Sequence, residues 1–260
     1  MIHLPLLDPD VPDRFPDPRQ ALRKPNGLLA FGGDLSPARL LAAYANGIFP
    51  WFSEHEPILW WSPDPRCVFR TDRLKPNRSL RRTLSGKDWQ ISVNRAFRQV
   101  MLACAAPRPQ QPDTWISPAM VDAYTALHEL GHAHSVEVWD GEQLAGGVYG
   151  VAIGRLFCGE SMFSAQSGGS RVALIALTQL LNGWDFPLID AQVSNPHLLA
   201  LGALELPRDA FLAQVCELSL QPFDAAAWHA VATRPASVYL QEAARPPGMD
   251  DVAVGNVVGK

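Results

Sequence analysis

The sequence predicts an α+β protein in which a small N-terminal domain precedes a larger domain built around an antiparallel meander. The chain has 260 residues, of which 47% are hydrophobic and 18% charged. A chain of this size buries roughly three quarters of its unfolded surface and needs no disulfide or metal to fold. Helical and extended apolar patterns are mixed without a regular βαβ order, which is typical of α+β proteins. We place the small domain at residues 1–62, the larger domain at 63–240 and a flexible tail at 241–260.

The first strong helix signal lies in the N-terminal domain. In GGDLSPARLLAAYANG, Asp34 or Ser36 can cap a helix, and Pro37 suits its first turn. Gly47 stands where a left-handed residue commonly ends a helix. A dense group of aromatic residues follows and predicts either the core of this domain or a pocket on which a base stacks. Its members are Phe49, Trp51, Phe52, Trp60 and Trp61.

Positive charge is concentrated in one segment, although the whole chain has a net charge of -4. Residues 66–108 contain 11 Lys or Arg and two Asp, a local charge of +9, so the remainder carries -13. Within this segment, NRSLRRTL predicts a helix with Arg78, Arg81 and Arg82 on one face. Such a face suits the phosphates of a nucleic acid, although a solvated helix surface has the same pattern.

The rest of the chain predicts a strand near 90–93, helices near 95–106 and 117–130, three strands within 135–163, a helix near 171–184, a strand near 186–193, a short helix or strand near 196–206 and a helix near 207–218. A proline-rich loop at 107–112 separates the first two helices. Asp140-Gly141 is a hairpin turn signal. The glycines of GGVYGVAIG lack the spacing of a nucleotide-binding loop, so we expect them to let a ligand or neighbouring backbone approach the strand.

The string HELGH matches the HExxH pattern of zinc peptidases at His128 and His132. Gly131 stands where the predicted helix ends, so the two histidines are not expected to share a helix face. Helix-terminal histidines that favour the negative end of the helix dipole are the simpler interpretation.

Compartment and redox state follow from what the sequence lacks. The N-terminal residues have acids and prolines where a signal peptide carries basic and apolar residues, and no apolar stretch approaches 18 residues. We therefore expect a soluble, cytoplasmic protein with no membrane partner. The four cysteines show no CxxC spacing, which predicts reduced and mostly buried thiols rather than disulfides or a zinc site. They are Cys67, Cys104, Cys158 and Cys216.

Polar residues interrupt two apolar strand segments. Glu160 lies in LFCGESMF, where a carboxylate needs a partner or a cationic ligand unless it simply points to water. Ser161 follows it but lacks the GxSxG frame of a nucleophilic serine. Asp190 and Gln192 are two apart in LIDAQV, which predicts that a strand places both side chains on one face. They form either a site or a means of satisfying buried backbone groups.

Several long strings resemble one enzyme family. Between about residues 15 and 210 they are PNGLLAFGGDLSPARLLAAYANGIFPWFS, PILWWSPDPR, TWI, LHELGHAHSVEVW, GGVYGVAIGRLFCGESMFS and LIDAQVSNPHLLALGA. They resemble the leucyl/phenylalanyl-tRNA–protein transferases, bacterial enzymes that add Leu or Phe from aminoacyl-tRNA to proteins beginning with Arg or Lys. The resemblance implies an N-acetyltransferase-like fold for the larger domain and a product that serves as an N-degron in protein degradation.

The resemblance also implies roles for individual residues. The family's catalytic pair falls on Asp190 and Gln192, and its tRNA-facing helix includes Arg78 and Arg82. The substrate pocket falls on Trp51, Trp115, Val148, Phe157, Glu160, Ser161, Leu174 and Asn195. Three residues differ from the family's familiar pattern and are expected to alter the preference among Leu, Phe and Met without changing the reaction. They are Val148, Leu181 and Pro196.

The chemistry needs no metal, cofactor or covalent nucleophile. An aminoacyl ester is already activated, and an acceptor amine with a pKa of about 7.7–8.0 is partly neutral, so the enzyme must align the two and remove a proton. We expect Asp190 either to attract that proton or to orient Gln192, which positions the amine. Two alternatives are a zinc peptidase centred on His128 and His132, and an RNA-binding protein without catalytic activity.

Overall fold

The computed structural model describes residues 4–107 and 114–243, which form an α+β fold. The strands are β1 (Leu6–Leu7), β2 (Leu28–Gly32), β3 (Phe49–Pro50), β4 (Leu59–Trp61), β5 (Arg66–Arg70), β6 (Gln90–Val93), β7 (Ala133–Asp140), β8 (Gln143–Ile153), β9 (Leu156–Ser164), β10 (Leu188–Asp190), β11 (Leu204–Leu206) and β12 (Arg234–Pro235). The α-helices are α1 (Pro37–Ala45), α2 (Arg78–Leu84), α3 (Phe97–Ala105), α4 (Pro118–Glu129), α5 (Gly169–Gly183), α6 (Pro196–Leu201), α7 (Arg208–Leu218), α8 (Ala226–His229) and α9 (Ala236–Glu242).

The strands form two sheets. The N-terminal strands make a four-stranded sheet in the order β1-β2-β4-β3. The remaining strands make an eight-stranded sheet in the order β11-β5-β10-β9-β8-β7-β6-β12. Strands β7, β8 and β9 follow one another along the chain and pair antiparallel, whereas β9 and β10 pair parallel and are connected through α5. The carboxyl end of β10, at Asp190, therefore lies beside Cys158 in the first half of β9, two residues before Glu160.

Three helices begin at a residue whose side chain caps the helix, and Ser36 is one of the two caps predicted for the first of them. The side chains of Ser36, Asn77 and Ser117 accept hydrogen bonds from backbone N–H groups at the starts of α1, α2 and α4. Each bond satisfies one of the donors that a helix start leaves unpaired. The predicted helices in these segments are confirmed, and Gly47 has the expected left-handed backbone with a φ of 69°.

Glycines in β8 allow the backbones of α5 and of the neighbouring strand β9 to come close to this strand. A Cβ on Gly146 would lie 2.6 Å from the Cα of Gly169, at the first residue of α5. A Cβ on Gly150 would lie 2.2 Å from the carbonyl oxygen of Cys158 in β9. The expectation that these glycines admit a neighbouring backbone is confirmed, since any larger side chain would collide with main-chain atoms.

The apolar core extends across both sheets. Leu40 and Trp60 from the N-terminal segment belong to the same buried cluster as Tyr124 and Phe211 from the rest of the chain. A second cluster packs α5 against the opposite face of the larger sheet. The boundary predicted after residue 62 falls between the two sheets and remains a prediction, because the core does not divide there.

The segments at the end of the chain differ from the prediction. Gln241 and Glu242 continue α9 and Ala243 is buried, so the predicted flexible tail does not begin at 241. The rest of that tail, residues 244–260, lies outside the described residues, as do residues 108–112 of the predicted proline-rich loop. The segment 196–206 forms α6 followed by β11. In the described ranges no helix combines the length and the apolarity that crossing a membrane requires.

Candidate active site

A cleft with a volume of about 310 Å³ lies between the N-terminal sheet, the carboxyl end of β10 and the middle of β9. Its walls combine aromatic rings from one side with polar groups from the other. The lining residues are Phe49, Pro50, Trp51, Trp115, Glu160, Ala191, Gln192, Val193, Ser194, Asn195 and Leu198. Trp51 is 44% exposed and packs beside Trp61 with the ring centres 5.5 Å apart, so an indole face is available at the mouth of the cleft.

A smaller, mainly apolar cavity of about 90 Å³ adjoins the cleft. The two share Glu160, Ala191, Gln192 and Leu198. Its other lining residues are Phe69, Val148, Gly159, Ser161, Met162, Leu174, Leu177 and Ile189. An apolar cavity that opens beside a carboxylate and an amide can hold a hydrophobic side chain while the polar groups face its reacting end.

Glu160 is the centre of a hydrogen-bond network at this junction. Its Oε1 accepts from Gln192 Nε2 at 3.1 Å, and its Oε2 accepts from the Tyr124 hydroxyl at 3.1 Å. The Tyr44 hydroxyl contacts the Tyr124 hydroxyl from the N-terminal side of the core. Glu160 therefore has partners, and the interpretation of a side chain that simply points to water is wrong.

The environment of Glu160 brings its pKa close to neutral pH. Burial raises this pKa to about 7, while the hydroxyls of Tyr44 and Tyr124 act in the opposite direction. Burial also raises the pKa of both tyrosines well above the ordinary value, so both hydroxyls stay protonated and can donate. A carboxyl group with a pKa near 7 can both accept and return a proton under physiological conditions.

Asp190 is held by a buried ion pair rather than exposed in the cleft. The guanidinium of Arg66 donates to both carboxylate oxygens, with Nε to Oδ1 and Nη2 to Oδ2 each 2.7 Å. Both side chains are almost completely inaccessible to solvent. Asp190 Oδ1 also accepts the backbone N–H of Gln192 at 3.0 Å. Of the two roles expected for Asp190, this geometry favours orienting Gln192.

The strand-face argument for Asp190 and Gln192 is wrong, although the two residues do lie together. Strand β10 ends at Asp190, and Gln192 has a left-handed backbone with a φ of 54°. The hydrogen bond from Gln192 N to Asp190 holds this turn. The turn, rather than strand alternation, directs the amide of Gln192 toward Glu160.

Most of the other predicted pocket residues lie on the two cavities, with different neighbours. Trp51, Trp115 and Asn195 line the cleft, and Asn195 also caps α6 by accepting from Leu198 N at 2.9 Å. The smaller cavity is lined by Val148, Ser161 and Leu174. Phe157 lines neither of these two cavities.

Phe157 belongs to the core instead of the pocket. It is 1% exposed, and its ring packs beside Trp228 at a centroid distance of 5.7 Å. An apolar residue in an apolar strand is buried by default, so the strand pattern alone could not separate a core position from a pocket position.

The arginines of α2 form an exposed basic surface. Arg78, Arg81 and Arg82 all lie on this short helix with exposed side chains. By contrast, Arg66 belongs to the same positively charged segment but is fully buried against Asp190. The segment's surface charge is therefore smaller than its composition indicates.

The HELGH string has a structural explanation. Helix α4 ends at Glu129, and Gly131 is left-handed with a φ of 81°, as its position predicts. The His128 ring stacks on Phe97, and its Nδ1 lies 2.7 Å from the carbonyl oxygen of Ala133. In the part of the chain that the structure describes, no group of three or more His, Cys, Asp or Glu side chains could hold a metal ion. Three of the four cysteines are buried, as the sequence predicts, and Cys216 is exposed.

Sequence reasoning missed Arg66, Tyr44 and Tyr124. Arg66 is 124 residues from its partner Asp190, and Tyr44 is 80 residues from Tyr124. Each occurs in a pattern that a helix core or a basic segment explains equally well. The only available signal was the need of Glu160 and Asp190 for buried partners.

The site combines an apolar cavity, which can hold an acyl side chain, with polar groups at its opening, and this arrangement suits an enzyme that transfers an acyl group. The chain belongs to the leucyl/phenylalanyl-tRNA protein transferase family. The family's model matches residues 68–216, and the model of the family's N-terminal domain matches residues 33–64.

Curated relatives agree with these matches. A leucyl/phenylalanyl-tRNA–protein transferase of Xanthomonas axonopodis pv. citri is 63% identical over 82% of this chain and 86% of its own length. The protein of the same name from Tolumonas auensis is 56% identical over 82% of this chain and 92% of its own length. Among solved structures, one match is the C-terminal domain of a putative lysylphosphatidylglycerol synthetase from Agrobacterium fabrum. The match covers 82% of this chain and 71% of the solved chain, with 12% identity and a TM-score of 0.35, and this likeness is too weak to define the fold.

Proposed function

We propose that this protein transfers Leu or Phe, with Met as a further candidate, from aminoacyl-tRNA to the α-amine of proteins that begin with Arg or Lys. The observation that carries this proposal is the cleft in which Glu160 and Gln192 face both the polar opening and the apolar cavity. The product has a new N-terminal Leu or Phe that acts as an N-degron. The family membership supports an aminoacyl-tRNA donor and a protein acceptor.

The two cavities suit the two parts of the aminoacyl end of the donor. The apolar cavity, with Val148 and Leu174 in its wall, takes the Leu or Phe side chain. Trp51 and Trp115 line the cleft where the terminal adenosine would stack on an indole. A methylene contributes only about 1–3 kcal/mol to discrimination, so selectivity among Leu, Phe and Met is modest.

The chemical step is aminolysis of the ester. The acceptor amine attacks the carbonyl carbon, a C–N bond forms, and the bond from that carbon to the ribose oxygen of the tRNA breaks. Glu160 accepts the proton that the amine loses and returns it to the departing ribose oxygen. Gln192 positions the amine, and Asp190 fixes the turn that carries Gln192. Alignment of ester and amine supplies most of the rate enhancement.

The exposed arginines of α2 bind the phosphates of the tRNA body in this proposal. A contact of this type depends strongly on salt because counterions are released on binding. Replacing Arg78 and Arg82 with Ala is expected to weaken tRNA binding and to reduce its salt dependence. Unchanged affinity across 50–200 mM salt, the range over which such contacts weaken most visibly, would remove α2 from the interface.

The finer architecture is also a proposal. We assign residues 63–240 an N-acetyltransferase-like fold built on an antiparallel meander, with residues 1–62 as the small domain. The succession of antiparallel β7, β8 and β9, followed by α5 and a parallel β10, supports this assignment. A cytoplasmic location agrees with the substrates.

One assay tests the function. The purified chain is mixed with radiolabelled Leu-tRNA and a peptide that begins with Arg, and a peptide of the same sequence that begins with Ala serves as the control. Label is expected in the Arg peptide and not in the Ala peptide. Binding of Leu-tRNA without any peptide product would instead favour the RNA-binding alternative.

A further inference from the structure

The side chain of Glu205 lies at the rim of the cleft. The proposed mechanism does not use this carboxylate. Glu205 lies in the middle of β11, the edge strand of the larger sheet, and its side chain is exposed. Its Oε1 accepts a hydrogen bond from the hydroxyl of Ser194, a residue that lines the cleft. Within residues 4–107 and 114–243, no Lys, Arg or His forms an ion pair with Glu205. The carboxylate is therefore fixed at the cleft and available to a cation.

The register of the sheet determines how far Glu205 lies from the reacting groups. Glu205 is directly opposite Cys67 in β5, and Cys67 N donates to the carbonyl oxygen of Gln192 at 3.0 Å on the other side of β5. Strands in a sheet are about 4.8 Å apart, so the backbones of Glu205 and Gln192 are separated by roughly 10 Å. Two long side chains that approach each other can cover this distance.

The electrostatic environment of the Cys67 thiol reflects the same arrangement. Burial, with the negative charges of Asp190 and Glu205 acting in the same direction, raises the pKa of Cys67 to about 11. Cys67 is thus close enough to both carboxylates to respond to each of them. Glu205 and the Asp190–Gln192 turn therefore lie on either side of one residue of β5.

The other carboxylates near the cleft are committed to partners. Asp190 is paired with Arg66, and Glu160 is bonded to Tyr124 and Gln192. Every carboxylate oxygen of these two residues already accepts a hydrogen bond. A cation could therefore bind to either residue only by displacing one of these donors.

The loop after Trp51 offers no equivalent group on the cleft wall. Glu54 and Glu56 lie in this loop but do not line the cleft. The carboxylate of Glu56 accepts the backbone N–H of Ser53 at 2.8 Å, which holds it within its own turn. Unlike Glu54 and Glu56, Glu205 accepts a hydrogen bond from a residue that lines the cleft, Ser194.

One exposed apolar side chain of the cleft wall adjoins Ser194, the residue that holds Glu205. Val193 lies in the chain between Gln192 and Ser194, lines the cleft and is 44% exposed. Arg and Lys side chains bury their aliphatic stems against such surfaces while their charged ends reach a polar partner. An exposed apolar side chain followed by a residue that holds a carboxylate is complementary to a long basic side chain.

We propose that Glu205, held by Ser194, binds the guanidinium or ammonium group of the N-terminal Arg or Lys of the acceptor protein. The inference rests on the proposed function. It assigns the choice of acceptor protein to Glu205, which takes no part in the chemical step proposed for Glu160 and Gln192. With the α-amine at Gln192, the side chain of the first residue lies along Val193 and ends at Glu205. Arg is favoured over Lys in this geometry because its planar fork can pair with a carboxylate through two hydrogen bonds.

The test compares the steady-state kinetics of the parent chain with those of two variants. Glu205→Gln removes the charge at the proposed site, and Glu217→Gln removes an exposed carboxylate from α7, which lines neither cavity. The acceptors are otherwise identical peptides that begin with Arg, with Lys or with citrulline, which has the shape of Arg without its charge.

Glu205→Gln is expected to raise KM for the Arg and Lys peptides on the order of tenfold or more, while Glu217→Gln leaves both unchanged. The citrulline peptide is expected to be a poor acceptor of the parent chain and no poorer with Glu205→Gln. Restored activity of Glu205→Asp toward the Arg peptide would further support a charge contact.

A KM for the Arg peptide within twofold of the Glu217→Gln value would overturn the inference. An equal rise in KM for Leu-tRNA would also overturn it, because the effect would then not be specific to the acceptor. Failure of the proposed function has a different signature, since the parent chain would then label none of the peptides.

Discussion

Tyr124→Phe isolates the contribution of one hydroxyl to the proton acceptor. The substitution removes the donor to Glu160 Oε2 and keeps the fully buried ring in place. A hydrogen bond to a charged group contributes about 1.5–3 kcal/mol, and one pKa unit corresponds to about 1.4 kcal/mol. Loss of the hydroxyl is therefore expected to raise the pKa of Glu160, which is about 7 in the parent chain, by roughly one to two pH units.

The expected loss of activity depends on pH. At pH 7 about half of the Glu160 carboxyls are ionised in the parent chain, against roughly 1–10% in the variant, so kcat falls about 5- to 50-fold. By pH 8.5 most of the carboxyls are ionised in the parent, and the difference narrows to about fourfold or less.

The assay measures kcat from pH 6 to 8.5 with saturating Leu-tRNA and an Arg-starting peptide. The ratio of variant to parent is used at each pH because the titration of the acceptor amine then cancels. Tyr149→Phe is the matched control, since the Tyr149 hydroxyl is buried and has no hydrogen-bond partner among the described residues. A ratio for Tyr124→Phe that is the same at every pH would refute the role of Glu160 as the group whose ionisation limits the rate.

Three further predictions concern stability. Because burial raises the pKa of Glu160 from an ordinary value near 4.5 to about 7, the native state binds more protons than the unfolded chain between these values, and stability falls as pH rises through this window. Glu160→Gln is expected to reduce that fall, and identical differences in Tm between pH 5 and pH 8 in variant and parent would contradict it. Arg66→Met leaves Asp190 charged and buried, so the free energy of unfolding is expected to fall by about 3–5 kcal/mol in thermal unfolding. Adding Asp190→Leu is expected to restore part of this loss. A double variant that is no more stable than Arg66→Met would exclude the unpaired charge as the cause. Gly146→Ala places a methyl group 2.4 Å from the carbonyl carbon of Gly169 and is expected to lower Tm by roughly 5 °C or more, whereas Gly183→Ala, which meets nothing within 4 Å, should not; equal Tm values for the two variants would show that the close approach is not required.

Local elements could be predicted because their determinants lie within a few residues of one another. Ser36 and Ser117 cap helices through bonds that span three residues, and Gly131 ends a helix by its own backbone conformation. The Asp140-Gly141 turn likewise connects the two strands that its sequence indicates. Such signals survive folding because the tertiary structure does not have to supply the partner.

The candidate site could be predicted only in part, because its geometry depends on distant partners. Glu160 and Gln192 were identified as polar interruptions of apolar segments, and the structure brings them within hydrogen-bond distance. The left-handed backbone of Gln192 could not be predicted, since strand alternation is the default for LIDAQV. Arg66 could not be paired with Asp190 either, because no local rule connects positions 124 residues apart.

The Arg66 side chain has a consequence for how the enzyme could be shortened. Its Nη1 donates to the carbonyl oxygen of Gly47 at 3.0 Å, its guanidinium faces the rings of Phe49 and Phe211, and its remaining nitrogens hold Asp190. Removing the first sixty residues would therefore take a carbonyl oxygen and an aromatic ring away from the buried guanidinium that holds Asp190 and, through it, the turn at Gln192. A fragment without them would also lack Phe49, Pro50 and Trp51 from the wall of the cleft, so we expect the N-terminal residues to be required for a stable site.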